Sequence, residues 1–152
     1  MGIAQTLDFV GSSIAVTDQG NGVMRVMSNV GGSAVTEFEF IIDGGGSTIT
    51  LGQKGFFEVP FAMTITGWTL VADQSGSIVV DVWKQGYAGF PPNSGNSITG
   101  ADTPTLSSAV KNQNNAVTLW TTSLAAGDIL AYNVNSVTTV QRVTLSIRGT
   151  KN

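Results

Sequence analysis

The sequence predicts an all-β protein: an antiparallel β-sandwich, jelly-roll-like, preceded by a short N-terminal β segment. Three observations carry this. Apolar residues recur with period two, as in Phe38, Phe40 and Ile42, or Ile78, Val80 and Val82, and period two is the repeat of a strand. The apolar runs are rich in Val, Ile, Thr, Phe and Trp, which fit a pleated, half-buried surface. Clusters of Gly, Asp, Asn and Ser break these runs about every 8 to 12 residues, the spacing of a sandwich. Helix signals are nearly absent; the stretch 106–110 is too short to count.

Composition sets the limits. The chain has 152 residues, enough for one domain and a small appendage. A chain of this size buries roughly 70% of its unfolded surface, so a proper core is within reach. Apolar residues make up 41%, and charged residues only 11%, against a usual charged share of about 25%. Low charge weakens self-repulsion and favours a protein held in a permanent assembly. Net charge is −3, with 7 Lys and Arg and no basic run, so no nucleic-acid partner is expected. Cys and His are both absent, which removes disulfides, soft metal sites and His-dependent triads. No cofactor and no metal are expected. No apolar run approaches the roughly 20 residues that span a bilayer, so no membrane insertion is expected. Residues 1–11 lack a charged n-region and a long apolar h-region, so no secretory leader is expected.

In chain order, residues 3–28 predict three short strands. Leu7 and Phe9 mark the first, Ile14 and Val16 the second, and Val23 to Met27 the third. Asp18 to Gly22 lacks the acidic ligand spacing of a calcium loop and predicts a plain turn. Such a segment cannot bury a core alone. It must pack on the rest of the chain, on sister chains or on a larger partner, and the linker-like Asn29 to Ala34 closes it as a segment over residues 1–34. Residues 35–152 form the sandwich. Thr36 to Ile42 opens it, with Phe38, Phe40 and Ile42 on one face and Glu37, Glu39 and Ile41 on the other. Asp43-Gly44-Gly45-Gly46-Ser47 lacks the following helix of a phosphate cradle and predicts a turn.

Residues 54–84 predict a central hairpin with its turn at Asp73 to Ser77. Its first arm sets Ile65, Gly67, Thr69 and Val71 against Trp68 and Leu70. Its second arm sets Ile78, Val80 and Val82 against Asp81 and Trp83. Pro60 should end the preceding strand or sit at an edge. Residues 85–115 are irregular, and a loop of that length inside a domain should be divided, here by a short strand at 105–109. Further strands are predicted at 116–121, 129–135 and 140–148. Leu130, Tyr132, Val134, Val143, Leu145 and Ile147 should face inward. The long connection favours a jelly roll or related Greek key.

The chemistry is sparse. Glu37 and Glu39 share a strand face, but they lie along one strand rather than across a cleft, as glycosidic cleavage requires. Asp18, Asp43, Asp73 and Asp128 sit in turns, where Asp bonds nearby backbone. Asp81 is expected to accept a bond from Lys84 or Arg142, or to line a subunit contact. No catalytic residue is assigned, and the chain is read as non-enzymatic. Trp83, Tyr87 and Phe90 cluster at a strand end and loop. Aromatic rings beside Asn, Asp and Gln hold sugars by covering the apolar sugar face while amides bond hydroxyls. These three are the candidate glycan contacts. The alternative is that Trp83 caps the core and Phe90-Pro91-Pro92 packs over it. Trp68 and Trp120 are expected in the core or at a subunit interface.

Two stretches resemble known virion proteins. Residues 7–26, LDFVGSSIAVTDQGNGVMRV, resemble short β-repeats near the N-termini of tailed-bacteriophage fibre proteins, through Leu7, Phe9, Gly11, Ile14, Val16, Asp18, Gly20 and Gly22. The stretches EFEFIIDGGGSTITLGQKGFFEVPF, GWTLVADQSGSIVVDVWK, AAGDILAYNV and VQRVTLSIRG look like a β-sandwich recurring at the C-termini of phage structural proteins. These motifs are made of turn and core residues, so they identify scaffold. The resemblance implies a virion component, usually a homotrimer, attached to capsid or tail proteins through its N-terminal segment. Its short length implies a short tail fibre or a head fibre or capsid decoration protein, with host-surface glycan as a candidate ligand. A cellular carbohydrate-binding module and a small glycan-active enzyme are the other classes compatible with the residues.

Overall fold

A computed structural model describes the backbone of residues 14–18 and 24–28 and all of residues 34–152. The expected strand at Leu7 and Phe9, the centre of the turn after Asp18, and the linker up to residue 33 lie outside the described residues. The chain divides into two units, Met1–Ala34 and Val35–Asn152. In the first, β1 (Ile14–Asp18) pairs antiparallel with β2 (Met24–Ser28), Val16 opposite Val26.

The second unit holds β3 (Val35–Asp43), β4 (Gly52–Glu58), β5 (Met63–Gly86), β6 (Thr105–Asn114), β7 (Ser123–Leu124), β8 (Asp128–Thr138) and β9 (Arg142–Lys151). All pairings are antiparallel. β3 pairs with β9, β4 with β8, and β5 with β6. These pairs are nested in sequence, so the chain is one long antiparallel ribbon. The ribbon is rolled so that β9 also pairs with residues 63–72 of β5, and β8 with residues 77–86. The result is two layers, β3-β9-β5-β6 and β4-β8-β5-β6, in jelly-roll order. β5 and β6 belong to both layers and cross between them at a corner, where strands switch sheets through irregularities. The register shifts lie there, between Val71 and Gly76 and between Gly76 and Ile78. Asn112 Nδ2 donates to Thr105 O at 2.8 Å, so β6 doubles over at the same place.

The inner faces form one core. Ile65, Trp68, Leu70, Leu145 and Ile147 come from one layer, and Ile78, Val80, Val82, Leu130 and Tyr132 from the other. Phe38 stacks on Phe57 with centroids 4.7 Å apart, and Phe40 on Tyr132 at 3.9 Å. Gly55 admits the second stack: a Cβ there would lie 2.9 Å from Phe40 Cζ. The alternation read in 36–42, 78–82, 130–134 and 143–147 matches these inner faces, and Trp68 and Trp120 are both core residues.

Three expectations are corrected. The central hairpin does not form. Residues 73–77 lie within β5, and its two halves pair with β9 and β8 instead of each other. The turn-forming side chains serve the corner instead. Asp73 Oδ1 accepts the backbone N–H groups of Gln141 and Arg142, Gln74 Nε2 donates to Thr139 O, and Ser75 Oγ donates to Ser108 O. The first arm changes phase, because a bulge between Ile65 and Gly67 turns Ile65 to the same side as Trp68 and Leu70. No strand forms at 116–121. Trp120 N bonds Val117 O at 3.2 Å, and this turn sends both side chains into the core while Leu119 stays exposed. The expected strand at 105–109 is the first half of the longer β6.

Candidate functional site

The candidate residues lie on and beyond the second half of β5. Val82 faces the core, so Asp81 and Trp83 face outward by strand alternation. Trp83 stands opposite Ala131 of β8, and Ala131 stands opposite Phe56 of β4. Phe57 faces the core, so Phe56 faces outward, 43% exposed. One outer row therefore crosses three strands: Phe56, Ala131, Trp83.

Asp81 anchors this row. It is 9% exposed. Its Oδ2 accepts Trp83 Nε1 at 2.7 Å, and its Oδ1 accepts Ser97 Oγ and Thr99 Oγ1, each at 2.7 Å. The expected bonds from Lys84 and Arg142 do not form. Lys84 Nζ lies 3.2 Å from Asp128 Oδ2, and Arg142 Nε lies 2.7 Å from Asp43 Oδ2. A buried carboxylate with three donors is satisfied rather than strained. The bond to Trp83 ties the indole along its own strand. Segment 97–99 is stitched beside β5 by Ile98 N to Val82 O at 2.9 Å and by a bridge between Trp83 and Ser97.

From Gly86 the chain leaves the sheet through a short 3-10 turn, Tyr87–Gly89, and folds back. Phe90 reaches Phe56, with ring centroids 4.7 Å apart and planes at 57°. Pro92 is buried, and outward-facing Ala131 is 0% exposed, so rings and loop close over the row at that point. A second 3-10 turn, Ser94–Asn96, is capped by Asn93, whose Oδ1 accepts Gly95 N at 2.9 Å.

The three candidate residues therefore have different surroundings. Trp83 is half-buried and held by Asp81. Tyr87 is 86% exposed, and Phe90 is 47% exposed against Phe56. The exposed aromatic surface is Tyr87, Phe90 and Phe56, with Trp83 as the fixed residue of the adjoining strand. Phe56 was not singled out from sequence. The signal was present: in a period-two strand, the adjacent Phe56 and Phe57 cannot both face the core.

The acids are dispersed. Asp43 Oδ1 accepts Gly45 N, and this bond together with Arg142 holds its carboxyl below the usual range. Asp102 accepts Asn114 Nδ2, and Asp128 accepts Ala125 N. Glu39 accepts Ser146 Oγ at 3.2 Å from its place on edge strand β3. Among the described residues, no group of three His, Cys, Asp or Glu side chains is placed to hold a metal ion. A shallow cavity of about 300 Å³ lies on the other layer, lined by Thr69, Val71, Lys111, Asn112 and Gln113.

No family model matches the chain, and no curated protein matches it. Among solved structures, the chain is similar to one in "Structure of infectious bursal disease virus Gx strain". The two are 13% identical, with a TM-score of 0.30. The alignment covers 97% of this chain and 41% of that one. A superposition this loose carries nothing about fold or function.

Chemically, the patch offers apolar ring faces on a rigid support. Trp83 is fixed by strand register and the Asp81 bond, and Phe56 and Phe90 by their mutual packing, so these three rings leave little ordering for a ligand to impose, while Tyr87 stands exposed beside them.

Proposed function

We propose that this chain is a non-enzymatic bacteriophage virion structural protein displayed on the particle surface. In this reading it is a homotrimer, serving as a short tail fibre or as a head fibre or capsid decoration protein, and it holds host-surface glycan through the segment 83–92. Residues 1–34 attach it to capsid or tail proteins. One observation carries the reading: exposed aromatic rings, Tyr87 and Phe90, stand at the end of a rigid strand, while each Asp of the sandwich is committed to bonds within it. The resemblance of residues 7–26 and of the sandwich to phage structural proteins supplies the virion. Jelly rolls build both capsid and lectin domains, which suits both halves of the proposal, although fold by itself assigns no function.

The test is adsorption of particles carrying Tyr87→Ala and Phe90→Ala. Tyr87 is exposed and Phe90 is half-exposed against Phe56, so Tyr87→Ala should melt at the wild-type temperature, Phe90→Ala should stay folded with at most a small drop, and both should adsorb more weakly. Unchanged adsorption would remove the glycan role. Attachment is tested separately: a chain lacking residues 1–30 should fail to bind purified heads or tails. Specific binding by the intact chain to neither would favour the carbohydrate-binding-module reading, which uses the same patch.

A further inference from the structure

We infer that the ligand-contacting surface is the pair Phe56–Phe90, flanked by Tyr87, and that it selects uncharged hexose glycans over acidic ones. The inference rests on the glycan-binding reading above. It assigns Phe56 a role, and it moves Trp83 from ligand contact to support.

Phe56 and Phe90 come from separate parts of the fold, an edge strand and a returning loop, yet their rings meet at 57°. Both remain nearly half exposed. Their outer faces are therefore two differently tilted apolar surfaces side by side. Each can cover the apolar face of one pyranose ring. A short run of glycan lying across both fits better than a single enclosed sugar. Trp83 has its indole N–H engaged by Asp81 and lies beside the covered Ala131. Its contribution is to fix the row.

Charge decides the ligand class. Glu58 lies two residues beyond Phe56 on the same outward face of β4, and it is exposed. Lys54, the cation of that strand, donates to Thr50 Oγ1 at 2.7 Å and to Leu51 O at 3.1 Å. Lys84 is engaged by Asp128 and by Ser123 O. The surface beside the rings thus presents a carboxylate at the Glu58 end of β4, while Lys84 is neutralised by Asp128 and Lys54 keeps its charge but holds it back over Thr50 and Leu51, at the opposite end of the strand. A uronate or sialate would meet repulsion from Glu58. A neutral hexose chain would not.

The experiment measures binding of the intact protein to immobilised oligosaccharides of matched length. One set is neutral, built from glucose, mannose or galactose, and the other is oligogalacturonate. Neutral chains should bind, and oligogalacturonate should bind more weakly at low salt. Phe56→Ala should weaken neutral binding about tenfold, near the 1.4 kcal/mol of a stacked ring, with the melting temperature recording that the fold survives. Glu58→Gln should narrow the gap between the two sets. Oligogalacturonate binding as well as neutral chains, or no effect of Glu58→Gln, overturns the ligand class but leaves glycan binding standing. Wild-type binding by Phe56→Ala, alongside loss in Tyr87→Ala, overturns the assignment of Phe56 alone. No binding to either set, with adsorption unaffected by Tyr87→Ala and Phe90→Ala, removes the underlying reading.

Discussion

Tyr132 buries its hydroxyl in the core with no hydrogen-bond partner among the described residues, while its ring stacks on Phe40. Burial raises its pKa above the usual phenol range, so the group stays neutral and its cost is desolvation. Tyr132→Phe removes that cost and keeps the stack. It should raise stability by about 1 kcal/mol, read as a shifted urea midpoint with an unchanged slope; a lower midpoint would mean the hydroxyl has a partner. Asp43 gives a pH prediction. Its carboxyl is held below 3.8 by Gly45 N–H first and by Arg142 second. A depressed folded pKa means this stabilisation is present above 3.8 and fades as pH falls through the lowered value. Asp43 is at the surface, so the effect is small. Asp43→Asn should flatten the acid limb of the melting-temperature profile, and an unaltered limb would contradict the assignment. Residue identity announced such roles unevenly. Asp43 followed by glycines read as a turn. Asp81 did not reveal its partners, because Ser97 and Thr99 reach it only through tertiary structure.

At the scale of the element, β5 shows what pattern reveals and what it conceals. Its second half was legible because Ile78, Val80 and Val82 alternate without interruption. Its first half was misphased because the bulge at Ile65 and Gly67 adds a residue that composition does not mark. The segment Asp73 to Ser77 has the composition of a turn, and the chain does change direction there. Pairing was decided elsewhere: β9 and β8 each take one half, so a local hairpin never closes. Gly76 allows this. A Cβ on it would lie 2.5 Å from Thr139 Oγ1 and 2.6 Å from both Thr138 O and Val140 Cγ2. The β8–β9 connection therefore sits directly against the bend. Gly76→Val should destabilise by about 3 kcal/mol through overpacking against backbone. Gly86→Ala, at the open end of the same strand with nothing within 4 Å, should stay within about 0.5 kcal/mol. Equal urea midpoints for the two variants would show that the corner yields. Phe56 was missed for a related reason. Gly55-Phe56-Phe57 shows that one of the two rings must face out but not which, and only the tertiary stack of Phe57 on Phe38 settles it.

For the molecule at large, the roll of the sandwich unit leaves β3 and β4 as edge strands at the ends of its sheet path, with β6 and the short β7 paired only to β5. An open edge invites pairing with another chain, and edge strands commonly resist it with charge. β3 carries Glu37 and Glu39 on its outer face, beside Phe38 and Phe40 facing in. These two carboxylates stand on a nine-residue strand of a chain whose charged residues are few. Copies meeting edge to edge at β3 would bring like charges together, which disfavours self-pairing at this edge. Replacing both glutamates by Val leaves a run of uncharged, β-favouring residues on an exposed edge, the composition of an aggregating segment. The double variant should keep the wild-type melting temperature at low concentration, because Glu39 contributes one bond to Ser146 and no more. It should scatter light increasingly as concentration rises, while the wild type does not. If it stays as soluble as the wild type, the glutamates do not guard the edge, and β3 becomes available as a contact between copies.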